Sequence, residues 1–414
     1  MTTIKDSVHD HITVEGVAAD LLDTPPVQRL RRVTQLGTVS LVYPSANHTR
    51  FEHSLGVYHL ACEALDHLGV DGRRAERVRA AAVLHDVGHA PYSHNVEGLV
   101  HEYTGQYHDD VGDVVGDGVV ADVLEDHGLS PDAVADLVAG ERELGQLVAG
   151  ELDVDRMDYL VRDAHHTGVP YGTIDHGRLV RELALVDGDL VLEEGNVQTA
   201  ESLLLARALM NPTVYNHHVA RIGKAMLRRA AETLVDGGAV DPERLRRMDD
   251  GELLVAVRSD PDAAELGRRL AERDLYKRAV WAELGDVDGD VFAPGGLFDA
   301  DRETVREFET EIARQAGVDP VEVIVDVQGR PEMRESSTRV VVNGDVRRLD
   351  QQSTLVRALR MAQREQWRLG VYAPADHTEA VGYAAESVLG LDTDGALVSE
   401  HHTPGQYTAL DEFE

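Results

Sequence analysis

From residue 21 to about 230, apolar residues recur at three- and four-residue spacing, the period of a helix with one buried face. VYHLACEALDHL, RAAAVLHDV and ESLLLARALM show it most plainly, and strand-like alternation is scarce there. Thr24 before Pro25 and Pro26 predicts a helix start with Thr24 as the cap. The pattern loosens near 234–251 (LVDGGAVDPERLRRMDDG) and near 285–302 (LGDVDGDVFAPGGLFDAD), where Gly and Asp accumulate as in loops or linkers. After about 319 the period changes. VEVIVDV and TRVVVNGDVRRL are β-branched runs with Asn343-Gly344 as a turn signal, STLVRALRMAQREQW reads as a helix, and LGVYAPA as a strand. The expectation is a mainly α protein in three parts: a helical bundle over 1–233, a helical extension over 234–318 and a small C-terminal α+β unit over 319–414.

Composition narrows the class. The 414 residues are more than one core organises, and the 43% hydrophobic content is ordinary for a folded chain. No stretch approaches the ~18 apolar residues of a membrane span. The polar start MTTIKDSVHDHITVEG lacks a secretory pattern and Cys62 is the sole cysteine, so a cytoplasmic protein without disulfides is expected. Forty basic against 75 acidic residues give a net charge of −35. The acids are dispersed and lysine is confined to Lys5, Lys224 and Lys277. A broad nucleic-acid-binding face is therefore not expected. A surface of this kind stays hydrated when salt screens its self-repulsion, and a salt-rich, halophilic cytoplasm is the expected habitat.

Histidine and aspartate crowd the first third of the chain. His53 lies in HTRFEHSLG, and His85 and Asp86 are adjacent in VLHDVGHAPYSH with His89 and His94 following; downstream, DVDRMDYLVRDAHH supplies Asp153, Asp155, Asp158 and Asp163. Imidazole nitrogen with carboxylate oxygen suits divalent first-row metals, and carboxylates widen the range towards Mn and Mg. If His85 and Asp86 share a helix they diverge by about 100° and can converge on one ion. Their burial after AAAVL calls for a partner such as a metal, with Gly88 allowing a neighbouring helix to approach. His53 and Asp155 are natural further ligands. Arg29, Arg31 and Arg32 read as a solvated helix face. His165-His166 reads as packed between helices, and His217-His218 and His401-His402 as structural or exposed.

Four ordered blocks, LLDTPPVQRLRRVTQLG, YPSANHTRFEHSLGVYHLA, LHDVGHAPYSH and DVDRMDYLVRDAHHTG, strongly resemble HD-domain phosphohydrolases. The branch it most resembles is the deoxynucleoside triphosphate triphosphohydrolases, including the sterile-alpha-motif/HD enzymes, with no sterile-alpha-motif domain expected ahead of the blocks. The resemblance spans roughly 5–230 and implies an HD-domain helical bundle. It implies one divalent metal ion (Mn, Mg, Fe, Zn or Ni) on His53, His85, Asp86 and Asp155, which would polarise the α-phosphate and lower the pKa of a bound water. It also implies active-site roles for His94, His89 and, through QYHDD, His108. His94 would be the acid/base residue protonating the departing 5′ oxygen, oriented by Glu97. Gln35 and Asp163 match positions that hold the deoxyribose 3′-hydroxyl. Tyr159 and Tyr215 match residues packed against the sugar, and Arg50, Arg156 and Arg207 match phosphate contacts. Arg156 stands where a relative has Lys, and Asn211 replaces a His, which bears on triphosphate grip. HDVGH, without a following Lys or extra His ligands, disfavours a two-metal phosphodiesterase.

The expected reaction is hydrolysis of a deoxynucleoside triphosphate to deoxynucleoside and triphosphate. The alternatives are a nucleotidase acting on monophosphates and a non-catalytic nucleotide-binding regulator. The implied partners are a nucleotide substrate and further copies of the chain, as a dimer or tetramer. No membrane association is expected.

Overall fold

The computed structural model describes residues 1–287, 297, 300–329 and 333–392. Among these are nine strands: β1 (Thr2–Asp6), β2 (Asp10–Val14), β3 (Leu183–Val186), β4 (Asp189–Leu192), β5 (Lys277–Glu283), β6 (Ile324–Val327), β7 (Arg339–Val342), β8 (Asp345–Arg348) and β9 (Arg368–Ala373). The chain divides into two units, Met1–Arg273 with Met333–Ala362, and Asp274–Glu332 with Gln363–Glu414. The expected boundaries after 233 and 318 fall inside these units, the first within the helix His218–Asp236. Gly and Asp mark exposed backbone, which loops inside a core share with linkers. Part of the expected 285–302 linker and His401-His402 lie outside the described residues.

The first unit is built around the helix Arg50–His67, whose buried residues include Phe51, Leu55, Val57, Tyr58, Leu60, Ala61 and Leu65. Apolar side chains on several faces make it a central helix. Thr49 and Glu52 form a capping box at its start, with Thr49 N–H donating to Glu52 Oε2 at 2.7 Å. The helices Gly72–Leu84 and Val154–Thr167 pack against it and share its core through Val83, Leu84, Met157 and Leu160. Burying each such side chain contributes about 1.5–3 kcal/mol. The hairpin β1–β2 precedes the bundle. Two further hairpins, β3–β4 and β7–β8, join in parallel at Leu192 and Val340 into one four-stranded sheet, order β3-β4-β7-β8. Asn343-Gly344 turns β7–β8 as expected, with positive φ at both residues. Asp187-Gly188 turns β3–β4 in the same way, inside the stretch expected to be helical.

The second unit is a small α+β unit. β9 lies between β5 and β6 and is antiparallel to both. Val280, Val325, Leu369 and Val371 form its core with Ile312 and Val381, which come from the helices Arg302–Ala316 and Thr378–Leu389. β5 falls in the segment expected to be a helical extension. No helix among the described residues is long and apolar enough to cross a membrane.

Two local expectations are corrected. Thr24 sits at the N-cap of Pro25–Arg29, but its hydroxyl donates to the Leu21 carbonyl at 2.7 Å and caps nothing. His85 is the C-cap of Gly72–Leu84, so Asp86 lies in the turn beyond and the pair does not share a helix.

Candidate active site

Three elements deliver four side chains to one point. His53 comes from the first turn of Arg50–His67, His85 and Asp86 from the turn after Gly72–Leu84, and Asp155 from the first turn of Val154–Thr167. His53 Nε2 lies 2.8 Å from Asp155 Oδ1, 3.3 Å from His85 Nε2 and 3.8 Å from Asp86 Oδ2. His85 Nε2 lies 3.4 Å from Asp86 Oδ1 and 3.9 Å from Asp155 Oδ1. Neighbouring ligands on an octahedral ion with bonds of ~2.1 Å stand about 3 Å apart, so the spacing fits one divalent ion.

The second ring nitrogens agree. His85 Nδ1–H donates to the Ala82 carbonyl at 2.9 Å and His53 Nδ1–H to Asp158 Oδ2 at 2.7 Å, so Nε2 of both rings faces inward and can serve a cation once it carries no proton. Burial opposes a charged His53, yet its hydrogen bonds to Asp155 and Asp158 and the Asp86 charge push it up to about 10. Burial likewise works against ionised Asp86, but Arg50, His85 and His89 hold its carboxyl well below the usual range. His53, His85 and Asp86 offer ligand atoms close enough together that they could hold a metal ion.

A second cluster adjoins the first. Glu97 accepts from His94 Nδ1 at 2.7 Å through one carboxylate oxygen and from His108 Nδ1 through the other. His89 stacks on His108 at 4.3 Å between centroids and meets His94 edge-on at 4.8 Å. Its Nε2 lies 3.2 Å from Asp86 Oδ1 without hydrogen-bond alignment, so the buried ring has no hydrogen-bond partner. Gly88 acts differently from expectation. A Cβ there would meet the His108 carbonyl oxygen at 2.2 Å, so it admits the loop that carries His108, not a helix.

Residues 50–163 match the model of the HD domain and residues 174–400 that of the HD associated region. An uncharacterized protein of Methanocaldococcus jannaschii is 32% identical over 386 residues, which cover 91% of this chain and 80% of that protein. The chain belongs to the HD-domain family. A Dictyostelium discoideum homologue named as a deoxynucleoside triphosphate triphosphohydrolase is 29% identical, over 66% of this chain and 59% of its own length. The solved structure of a Bacteroides thetaiotaomicron phosphohydrolase superposes with a TM-score of 0.70 at 25% identity, covering 90% of this chain and all 100% of that one.

Around the centre of this HD-domain phosphohydrolase, the remaining candidates fall into two groups. Asp163, Tyr215, Tyr159 and Gln35 form one connected group through His48. Asp163 accepts from His48 Nε2 at 2.8 Å and from the Tyr215 hydroxyl at 2.9 Å, and the Tyr159 and Tyr215 rings meet edge-on at 6.2 Å. Gln35 N–H donates to the His48 carbonyl at 3.0 Å, while its buried Oε1 has no hydrogen-bond partner. Tyr215 ends a π-helical turn, Asn211–Tyr215, of a kind frequent at functional sites. Asn211 Oδ1 accepts from Nδ2 of Asn216, the residue just after that turn, at 2.7 Å.

The arginines divide differently. Arg50 is buried and donates to Asp86 Oδ2 at 3.0 Å and to Ser93 Oγ at 2.8 Å, bracing a carboxylate. Arg156 donates to Asp153 Oδ2 at 2.6 Å and to the Gly150 carbonyl. Arg207 lies half-buried near the end of Val197–Met210. Arg29 is no solvated residue: it donates to the Val87 and His89 carbonyls at 2.9 and 2.7 Å and to the Met248 carbonyl at 2.8 Å. Arg31 and Arg32 are exposed as expected.

The groups that brace the site carry no local signal in the sequence. Asp250, in a stretch read as linker, accepts from Tyr92 N–H at 2.6 Å and from Thr34 at 3.0 and 2.6 Å. It holds the turn before His94, where Tyr92 and Ser93 both have positive φ. His48 and Asp158 stood inside the quoted motifs, but only their partners, remote in sequence, reveal what they do.

Proposed function

We propose that this metal-dependent HD-domain phosphohydrolase cleaves deoxynucleoside triphosphates to deoxynucleoside and triphosphate. The observation that carries the reading is the adjacency of the two clusters: a four-ligand cation pocket whose Asp86 faces His89 of a Glu97-bridged histidine group. The relative named as a triphosphohydrolase supports the same substrate class.

His53, His85, Asp86 and Asp155 would hold the ion, which when bound polarises phosphate oxygen and lowers the pKa of water. Arg50 keeps Asp86 ionised and in place. His94, its Nδ1 tied to Glu97, presents Nε2 as the group that delivers a proton to the 5′ oxygen as the bond from that oxygen to the α-phosphorus breaks and water adds to phosphorus. Burial holds His94 below the ordinary imidazole range, and Glu97 orients the ring and offsets part of that cost when it carries a proton. His89 and His108 line the phosphate path. Asp163 and Gln35 offer acceptors to a 3′-hydroxyl, and Tyr159 with Tyr215 forms the wall that a 2′-hydroxyl would crowd. Arg156 and Arg207 supply positive charge for the phosphates. We extend the reading to a homo-oligomeric protein working in concentrated salt, as the acidic surface favours.

Product analysis tests the reaction. Mixed deoxynucleoside triphosphates with Mn²⁺ or Mg²⁺ in molar KCl are expected to yield deoxynucleoside and intact triphosphate, abolished in a His85→Ala/Asp86→Ala double variant. Orthophosphate released from monophosphates instead would replace the substrate and keep the site. Nucleotide binding without turnover would leave a regulator.

A further inference from the structure

Behind the cation pocket lies a closed group of charges that the reaction does not use. Asp158 is fully buried and accepts four hydrogen bonds. They come from His53 Nδ1 at 2.7 Å, His9 Nε2 at 2.6 Å, Arg162 Nε at 2.9 Å and Arg162 Nη2 at 3.0 Å. Arg162 turns its other edge to Asp6, donating from Nη1 at 2.8 Å and from Nη2 at 3.3 Å. Asp6 Oδ1 in turn accepts the Val8 and His9 backbone N–H groups at 2.9 and 2.8 Å, which fixes the tip of the β1–β2 hairpin. Gly56, one helical turn after His53, completes the enclosure. A Cβ there would stand 1.8 Å from Asp158 Oδ1 and 2.5 Å from Arg162 Nη2.

Four buried charged or polar side chains are costly to enclose, and a fully paired network is the only stable form of such a group. What it gains is direction. Asp158 has no rotational freedom left, so its Oδ2 holds the His53 ring in one tautomer and one orientation, with Nε2 towards Asp155 and His85. We propose that Asp158 is a positioning residue for the divalent cation, and that the N-terminal hairpin, through Asp6 and His9, is a working part of the cation site. The inference rests on the reading of His53, His85, Asp86 and Asp155 as cation ligands. It assigns a site function to a hairpin 149 residues from Asp158 in sequence.

Calorimetric titration of Mn²⁺ into the full-length, chelator-treated protein tests it, with circular dichroism in chelator as the fold control. Asp158→Asn is expected to weaken Mn²⁺ binding about 10- to 100-fold while the apo fold persists. Gly56→Ala, which displaces Asp158 without touching a ligand, is expected to weaken it in the same direction. Asp158→Glu should restore part of the loss. A structural role alone would lower the unfolding temperature in chelator and leave the Mn²⁺ affinity of the folded fraction unchanged; that result in Asp158→Asn overturns the proposal. If Asp158→Asn fails to fold, Asp6→Asn makes the same comparison one link further out, and wild-type affinity there overturns the role of the hairpin. Asp155→Ala separates the two readings. Binding lost in Asp155→Ala but intact in Asp158→Asn sinks the positioning role alone, whereas binding intact in both sinks the cation site itself.

Discussion

The two clusters at the centre of this protein use the same residue types to opposite ends. In the first, His53, His85 and Asp86 are buried, and each has a second partner that locks it: Asp158, the Ala82 carbonyl and Arg50. In the second, His94 is half exposed, and Glu97 bridges two imidazoles whose other nitrogens remain uncommitted to it. Fixed groups suit a site that must hold positive charge in one geometry. A carboxylate shared between imidazoles suits a site where a proton has to move, because the shared charge stabilises whichever ring carries it. Asp86 belongs to the first cluster and touches the second through His89, so charge held by one is felt by the other.

The sharpest way to break this contrast is to remove one of the proposed ligands. Asp155→Ala is expected to lower kcat by more than about a thousandfold, since several kcal/mol of electrostatic stabilisation go with the ion. Equal loss of Mn²⁺ binding by calorimetry is expected with it. His94→Ala should cost about a hundredfold in kcat, typical of a lost general acid, while Mn²⁺ affinity stays at the wild-type level. A fall in metal affinity in that variant would merge the two clusters into one.

A smaller effect concerns the support of the first cluster. Burial works against ionised Asp6 and Asp158, but Arg162 holds both carboxyls below the ordinary value. Groups with depressed folded values stabilise fully above the unfolded value of about 4, and that stabilisation is lost as pH falls through the folded values. Asp6→Asn is therefore expected to lose about 2 kcal/mol at neutral pH and to show a shallower further loss on acidification. Chemical denaturation in chelator at pH 7, 4 and 3 measures both; parallel curves for the two proteins would show that Asp6 carries no such linkage.

The members of the candidate site could be named from the chain because they are concentrated in short motifs. His85 and Asp86 adjoin, and Asp155, Asp158 and Asp163 lie within a few residues of one another. The Asn343-Gly344 turn was readable because the residues that permit positive φ are few. Asp187-Gly188 carried the same signal, but the surrounding helical period obscured it. Arg29 was misread because a side chain's exposure depends on what packs over it. No local pattern places the Val87, His89 and Met248 carbonyls around a guanidinium.

The sequence by itself determined which groups can carry charge, ligate a cation and transfer a proton, and which segments coil or extend. Those properties belong to side-chain chemistry and to the period of apolar positions. The tertiary structure decided the pairings. It set Asp158 behind His53, paired Arg50 with Asp86, closed Gly88 onto the His108 loop and brought the N-terminal hairpin against Arg162. The reason is physical: a buried charge must find a partner somewhere in the fold, and which one it finds depends on distance in space, not along the chain.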